Sequence, residues 1–241
     1  MEREVSADAR CAQHADRPAT GTCKRCGRFI CDACSNRLGV CAQCLARALP
    51  AAKSPRGWVD AILVALIFDN TCGLIGLAAG VLAPKPADPT QFVVMIVGGL
   101  ADLGGFLMLA VVPAMFLRWL LLATRRAAAL GANLPETPAW MVAWWLIPLA
   151  NFVQGFRLLR RLGLALTGRD QIGPLLWPWA IAFAASFALA WGVPWLISGT
   201  TPMSLHVAVA VLWMFSSVCL YLVMRRFQRA LDAAEFALAA R

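Results

Sequence analysis

An all-α membrane protein with a small cysteine-rich module at its N-terminus is the fold class this sequence predicts, on three observations. Of its 241 residues, 60% are hydrophobic and only 15% charged, and the mean hydropathy of +0.67 lies outside the range of an ordinary soluble domain. Seven of the nine cysteines fall within residues 11 to 44. Beyond them come four apolar runs of about 20 residues or more, each long enough to cross a ~30 Å hydrocarbon core as a helix. Charge follows the same division. Residues 1–57 carry ten Lys/Arg and five Asp/Glu, and the other 184 carry twelve and eight, mostly in short clusters between apolar runs. The first 25 or so residues hold neither an apolar stretch nor a small-residue cleavage site, so a secretory precursor is not expected and the N-terminus is expected in the cytosol.

A reducing compartment disfavours a disulfide framework, and the cysteines are arranged in pairs instead. Cys11-x-x-His14, Cys23-x-x-Cys26, Cys31-x-x-Cys34 and Cys41-x-x-Cys44 follow one another at intervals of eight, four and six residues. Each two-residue gap lets a tight turn aim both donor atoms at one ion, and tetrahedral zinc needs two such pairs. Eight donors make two sites. Sequential and interleaved pairings are both open from the inventory; the four residues between Cys26 and Cys31 favour an interleaved cross-brace that ties the two ions into one unit. That arrangement puts Cys11, His14, Cys31 and Cys34 on one zinc and Cys23, Cys26, Cys41 and Cys44 on the other. The spacing resembles the B-box-type zinc finger, whose first pair is Cys/His and whose ions are held in this interleaved way. The familiar animal B-box closes with a His pair where this chain has Cys41 and Cys44. Zinc binding survives that change, but the partner-binding properties of the family do not carry over. Residues 1–47 are therefore expected to form a B-box-like module with two structural Zn²⁺ ions as cofactors.

With all eight positions used as ligands there is no vacancy for water, which argues against zinc hydrolysis and for a structural role. Seven thiolates and two Zn²⁺ leave about +6 of the formal +9. Lys24, Arg25, Arg28 and Arg37 supply a basic patch around the knuckles, and Phe29 and Ile30 are the expected apolar filling. So short a segment cannot order itself on apolar burial, so the metal should supply most of the free energy, about 10 to 16 kcal/mol in zinc-finger peptides. No recognition-helix pattern or aromatic stacking set accompanies the patch, so nucleic acid is not an expected partner. Contact with a protein, or with anionic headgroups, fits better.

Residues 48–57, with Pro50 and Pro55, read as a linker. The membrane domain is expected over 58–230, with spans at 58–83, 92–117, 175–197 and 205–224. A fifth apolar stretch, 139–156, is shorter and interrupted by Pro148, Asn151 and Gly155. If it crossed, Arg157, Arg160, Arg161, Arg169 and the C-terminal Arg225, Arg226 and Arg229 would lie outside, against the positive-inside rule. If it dips in or lies at the interface, all of these join Arg118, Arg125 and Arg126 inside. The outer loops then hold only Lys85 and Asp88 in 84–91 and no charge in 198–204. Four transmembrane helices, both termini in the cytosol, and a re-entrant or interfacial helical segment at 139–156 are the expected topology.

That segment carries a second resemblance. Trp140-x3-Trp144-Trp145-x2-Pro148-x2-Asn151, preceded by Leu130-Gly131-Ala132 and followed by Arg157 to Arg161, is similar to the bacterial membrane family known as domain of unknown function 4328. The likeness spans about residues 58–230 and is most specific over 117–161. It implies a multi-spanning protein of the bacterial inner (plasma) membrane and supplies no reaction. The tryptophans suit a headgroup-level belt, while Pro148 and Asn151 suit a helix break shielded by neighbours.

Chemistry could hide among the polar residues of the spans. Asp69 and Asn70 fall near the middle of the first span and Asp102 near the middle of the second. A charged Asp there costs roughly 2.5 to 3.5 kcal/mol on insertion scales, so these carboxyls should be protonated, paired or facing a water-filled cavity. Interhelical hydrogen bonding is the simpler account; a proton- or cation-responsive site is the functional one. His206 and Ser186, Ser198, Ser216 and Ser217 raise an intramembrane serine protease, but no G-x-S-x-G or G-x-S-G occurs. Phosphate loops are absent too. Gly76-x3-Gly80 and the pairs Gly98, Gly99 and Gly104, Gly105 read as sites of close helix approach. The C-terminal stretch, with Phe227, Leu231, Ala234 and Leu238 at helical spacing, is expected to carry the last helix into the cytosol as a solvated anchor ending over 231–241, and 117–130 likewise. These readings together describe a non-enzymatic protein. Its partners are the bilayer and, through the zinc module, a cytosolic protein or a second copy. The rival class is a small transporter or ion-responsive channel using Asp69 and Asp102.

Overall fold

The computed structural model describes residues 8–36, 38–82, 90–134, 136–147, 151–170, 172–192 and 202–236. Arg37, Lys85, Asp88, Pro148, Ser198, Leu238, the final residues of the third expected span and both expected outer loops, but for their last residues, lie outside them. A two-stranded antiparallel hairpin, β1 (Gly21–Thr22) and β2 (Phe29–Ile30), is followed by a 3₁₀ turn at Asp32–Cys34 and seven α-helices among the described residues. These are α1 (Ala42–Ala48), α2 (Arg56–Leu82), α3 (Thr90–Leu130), α4 (Pro138–Leu146), α5 (Phe156–Thr167), α6 (Gly173–Phe187) and α7 (Met203–Phe236). Single π-helical stretches at Asn151–Gly155 and Ala188–Gly192 precede α5 and extend α6.

Four of these helices are long and apolar enough to cross a membrane: α2, α3, α6 with the first part of its π extension, and α7. Their surfaces show why. Val64, Phe92, Phe106, Trp177 and Ile181 are all exposed, an apolar display that water would penalise and lipid would not. The 139–156 stretch is a nine-residue helix whose start is capped by Thr137, with Pro138 in its first turn, then a π-helical stretch. Trp140 faces outward, while Trp145 packs on Phe156 with ring centroids 5.5 Å apart.

The chain divides into two compact units. One gathers Met1–Arg56, Trp119–Ile172 and Arg225–Arg241; the other comprises Gly57–Arg118 and Gly173–Met224. In the first, the stretch expected to be a solvated helix end is instead a core. Trp119, Leu120, Ala123, Ala127 and Leu130 of α3 and Phe227, Leu231 and Ala234 of α7 are all buried, and Trp119 meets Phe227 edge to face at 5.9 Å. The expectation of solvated anchors fails because both extensions present an apolar stripe that is buried, the two meeting at Trp119 and Phe227. Helix α5 adds a third such face. It buries Phe156, Leu158, Leu159, Leu162 and Leu166 and leaves Arg157, Arg160 and Arg161 exposed, with Arg160 paired to Asp170 at 2.6 Å.

The finger is fastened to this helical core. Asn36, itself buried, accepts from the backbone N–H of Leu38 and Val40 and donates from its amide nitrogen to the carbonyl of Leu130 at 2.7 Å. It thereby satisfies one of the carbonyls that the end of α3 leaves free. Gly131 follows with φ of 94°, and a Cβ there would collide with Val40, so only glycine both turns the chain and admits the finger. The linker is fastened as well. The Ala52 carbonyl accepts from Arg126, whose guanidinium also pairs with Glu235 at 2.6 Å, and Arg56 pairs with Asp232 at 2.8 Å.

Candidate metal centre and carboxylate cavity

Each cysteine pair is presented by a different local structure. Cys11 and His14 sit on a turn closed by Cys11 N–H to the Arg17 carbonyl, 3.0 Å, and Arg17 N–H to that of His14, 3.0 Å. Cys23 and Cys26 sit at the tip of the β1–β2 hairpin, where Cys23 N–H reaches Arg28 and Gly27 N–H returns to Cys23, both at 2.8 Å. Cys31 opens and Cys34 ends the 3₁₀ turn, and Cys41 precedes α1 while Cys44 lies in its first turn. The fold thus brings Cys11, His14, Cys31 and Cys34 into one group and Cys23, Cys26, Cys41 and Cys44 into another, every donor atom within 4.8 Å of the others in its group. This is the interleaved arrangement.

The spacings fit metal rather than thiol chemistry. Cys11 and Cys34 Sγ are 3.6 Å apart, Cys26 and Cys41 Sγ 3.8 Å, and His14 Nδ1 stands 3.5 Å from Cys31 Sγ and 3.1 Å from Cys34 Sγ. Four sulfurs at about 2.3 Å from a central ion would be about 3.8 Å from one another, the edge of a tetrahedron. A disulfide would hold its sulfurs near 2.05 Å, and all nine cysteines are free thiols. Both groups can hold a metal ion, and a set of soft thiolates with one imidazole suits zinc.

Electrostatics point the same way. Burial opposes ionisation throughout, yet backbone N–H groups aimed at Cys11 Sγ, from Gln13, Cys31 and His14, bring that thiol down to about 6. Those of Cys41, Cys26 and Arg25 do the same for Cys23, also to about 6. Burial and the neighbouring thiols push Cys34 and Cys44 up to about 12. Each group therefore holds one thiol whose ionisation the backbone favours and at least one whose ionisation is opposed until a cation shares its charge.

The expected apolar filling is corrected in one respect. Ile30 is buried, but Phe29 is 42% exposed, because adjacent residues of a strand point to opposite faces. Val40 and Leu45 take its place in the core. Lys24, Arg25 and Arg28 are exposed around the knuckles, Arg28 donating to Gln43 at 2.9 Å.

In the other unit, Asp69 and Asp102 line one cavity of about 780 Å³ together with Asn70, His206 and Trp213. The Trp213 indole donates to Asp69 Oδ2 at 2.7 Å. Asn70 donates to the Leu66 carbonyl and to Ser217 Oγ, 2.7 and 3.1 Å. Gly76 lets the Asp102 carboxylate approach: a Cβ there would lie 2.6 Å from Asp102 Oδ1. Gly98 and Gly104 are approached in the same way, by Ala79 and Cys72, whereas Gly80 meets nothing within 4 Å. Trp213 was not legible as a partner of Asp69 in the sequence, since 144 residues separate them.

No family model matches this chain, and neither a curated protein nor a solved structure matches it.

Proposed function

We propose that this is a non-enzymatic membrane protein in which a B-box-type finger, closed around two structural zinc ions, forms an interaction platform on the cytosolic face of the bacterial inner membrane. The observation that carries this reading is the fastening of the finger to the helix ends. Asn36 on Leu130, Val40 on Gly131 and Arg126 between Ala52 and Glu235 make a rigid mount for the exposed knuckles. Two full sets of four donors favour a structural ion over a hydrolytic one. In this reading both termini are cytosolic, the exposed Lys24, Arg25 and Arg28 face a protein partner or a second copy, and the membrane domain is of the domain-of-unknown-function 4328 type.

Metal analysis of the purified chain and crosslinking in cells test it together. Two zinc ions per chain and a set of crosslinked partners that disappears in Cys31→Ser/Cys34→Ser are expected. Unchanged partners after that double substitution would overturn the platform. A second reading, a small transporter or ion-responsive channel, is favoured by one observation, the cavity that both Asp69 and Asp102 line.

A further inference from the structure

The cavity in the membrane-spanning unit is built for a particular kind of charge. Its 780 Å³ falls within the range of small-molecule sites. Apolar residues such as Leu77, Leu109 and Met214 make up much of its wall, and no lysine or arginine lines it among the described residues. Its two carboxyl groups, Asp69 and Asp102, come from different helices and, where ionised, give it a negative potential that favours cations over anions. Asp69 is only 8% exposed, and its Oδ2 is held by the Trp213 indole. Asn70 Oδ1 is also buried without a hydrogen bond. A polar oxygen left this way in an apolar setting costs free energy until a donor or a positive group meets it.

A hard metal cation is a poor match, because it needs about six oxygens to replace its water and this wall is largely hydrocarbon. A neutral lipid tail would leave the carboxylates uncompensated. We propose that the cavity binds a lipophilic organic cation of the quaternary ammonium or phosphonium class, its charge neutralised by Asp69 and Asp102 and its apolar groups covered by the aliphatic wall and Trp213. Aromatic side chains suit such ions, and both Trp213 and Phe106 line the cavity.

The inference rests on the second reading above, that the carboxylates form a working site, but it concerns binding and not flux. Equilibrium dialysis of the full chain in mild detergent, with tetraphenylphosphonium and the equally large anion tetraphenylborate as probes, tests it. Saturable binding of the cation alone is expected, weakened about tenfold or more by Asp69→Asn and by Asp102→Asn. Because Asp69 is buried, zinc content and thermal transition are read for each variant. Should Asp69→Asn not fold, Asp102→Asn and Gly76→Ala, which crowds the Asp102 carboxylate, serve in its place. Equal uptake of both ions, or saturable binding indifferent to the substitutions, would overturn the site. Cation binding without flux in proteoliposomes would keep it and remove the transport reading; flux of inorganic ions without tetraphenylphosphonium binding would do the reverse.

Discussion

Residues 8–48 and the helix ends against which they rest are ordered by different means. The buried side chains of the finger are chiefly sulfur donors, Cys11, Cys23, Cys31, Cys34 and Cys41, with Ile30, Val40 and Leu45 as a thin apolar complement. The helical part of the same unit buries Trp119, Leu120, Leu130, Phe227 and Leu231, large side chains of which Trp119 and Phe227 meet edge to face. Area removed from water stabilises the second region at roughly 25 cal/mol per Å², whereas the first has too little such area and depends on its donors. One unit thus contains a part that should respond to metal and a part that should not.

Removing the metal gives the largest expected effect. Chelation, or Cys31→Ser with Cys34→Ser, should unfold residues 8–48, seen as rapid proteolysis confined to that segment, while far-UV circular dichroism loses little beyond the signal of α1. Collapse of the whole helical signal would break the comparison. Acid should act in the same direction. Metal binding must strip protons from Cys34 and Cys44, which ionise only near 12 in the free groups. Bound thiolates thus lie far below their free values, and metal-derived stability present at higher pH is lost as pH falls. Calorimetry at pH 7 in buffers of different ionisation enthalpy should show at least one proton released per zinc bound.

Trp119→Ala should destabilise the helical region by about 3 to 5 kcal/mol through the cavity it leaves beside Phe227, with zinc content unchanged. Asn36→Ala tests the junction. It strands the N–H groups of Leu38 and Val40 and the Leu130 carbonyl, at about 1 to 3 kcal/mol, and should raise proteolysis of the finger even with metal bound. Smallest of all is Arg160→Ala. Its pair with Asp170 is largely in solvent and should be worth about 0 to 1 kcal/mol in a denaturation curve.

Much of this architecture is legible in the residues. The x-x gaps between donors set out both metal groups, and hydropathy placed the first span at 58–83, where α2 runs Arg56–Leu82. Local signals of this kind depend only on neighbours in the chain. The packing of the helix ends is not legible, because an apolar stripe such as Trp119, Leu120, Ala123, Ala127 and Leu130 says that something covers it, not what does. Helix α5 carries two signals at once: Arg157, Arg160 and Arg161 on one face speak for topology, while Leu158, Leu159, Leu162 and Leu166 on the other form the packing face. The pairing of Asp69 with Trp213 joins residues 144 apart, and nothing local records it.

The seat of the finger on the end of α3 bears on how its binding surface should be sought. Severed from the helices, the fragment would have an amide with no carbonyl to meet and would offer water a valine that is 2% exposed in the whole chain. Ligand screens on such a fragment would sample a face that the intact protein keeps covered, and hits dependent on Val40 would be products of the cut.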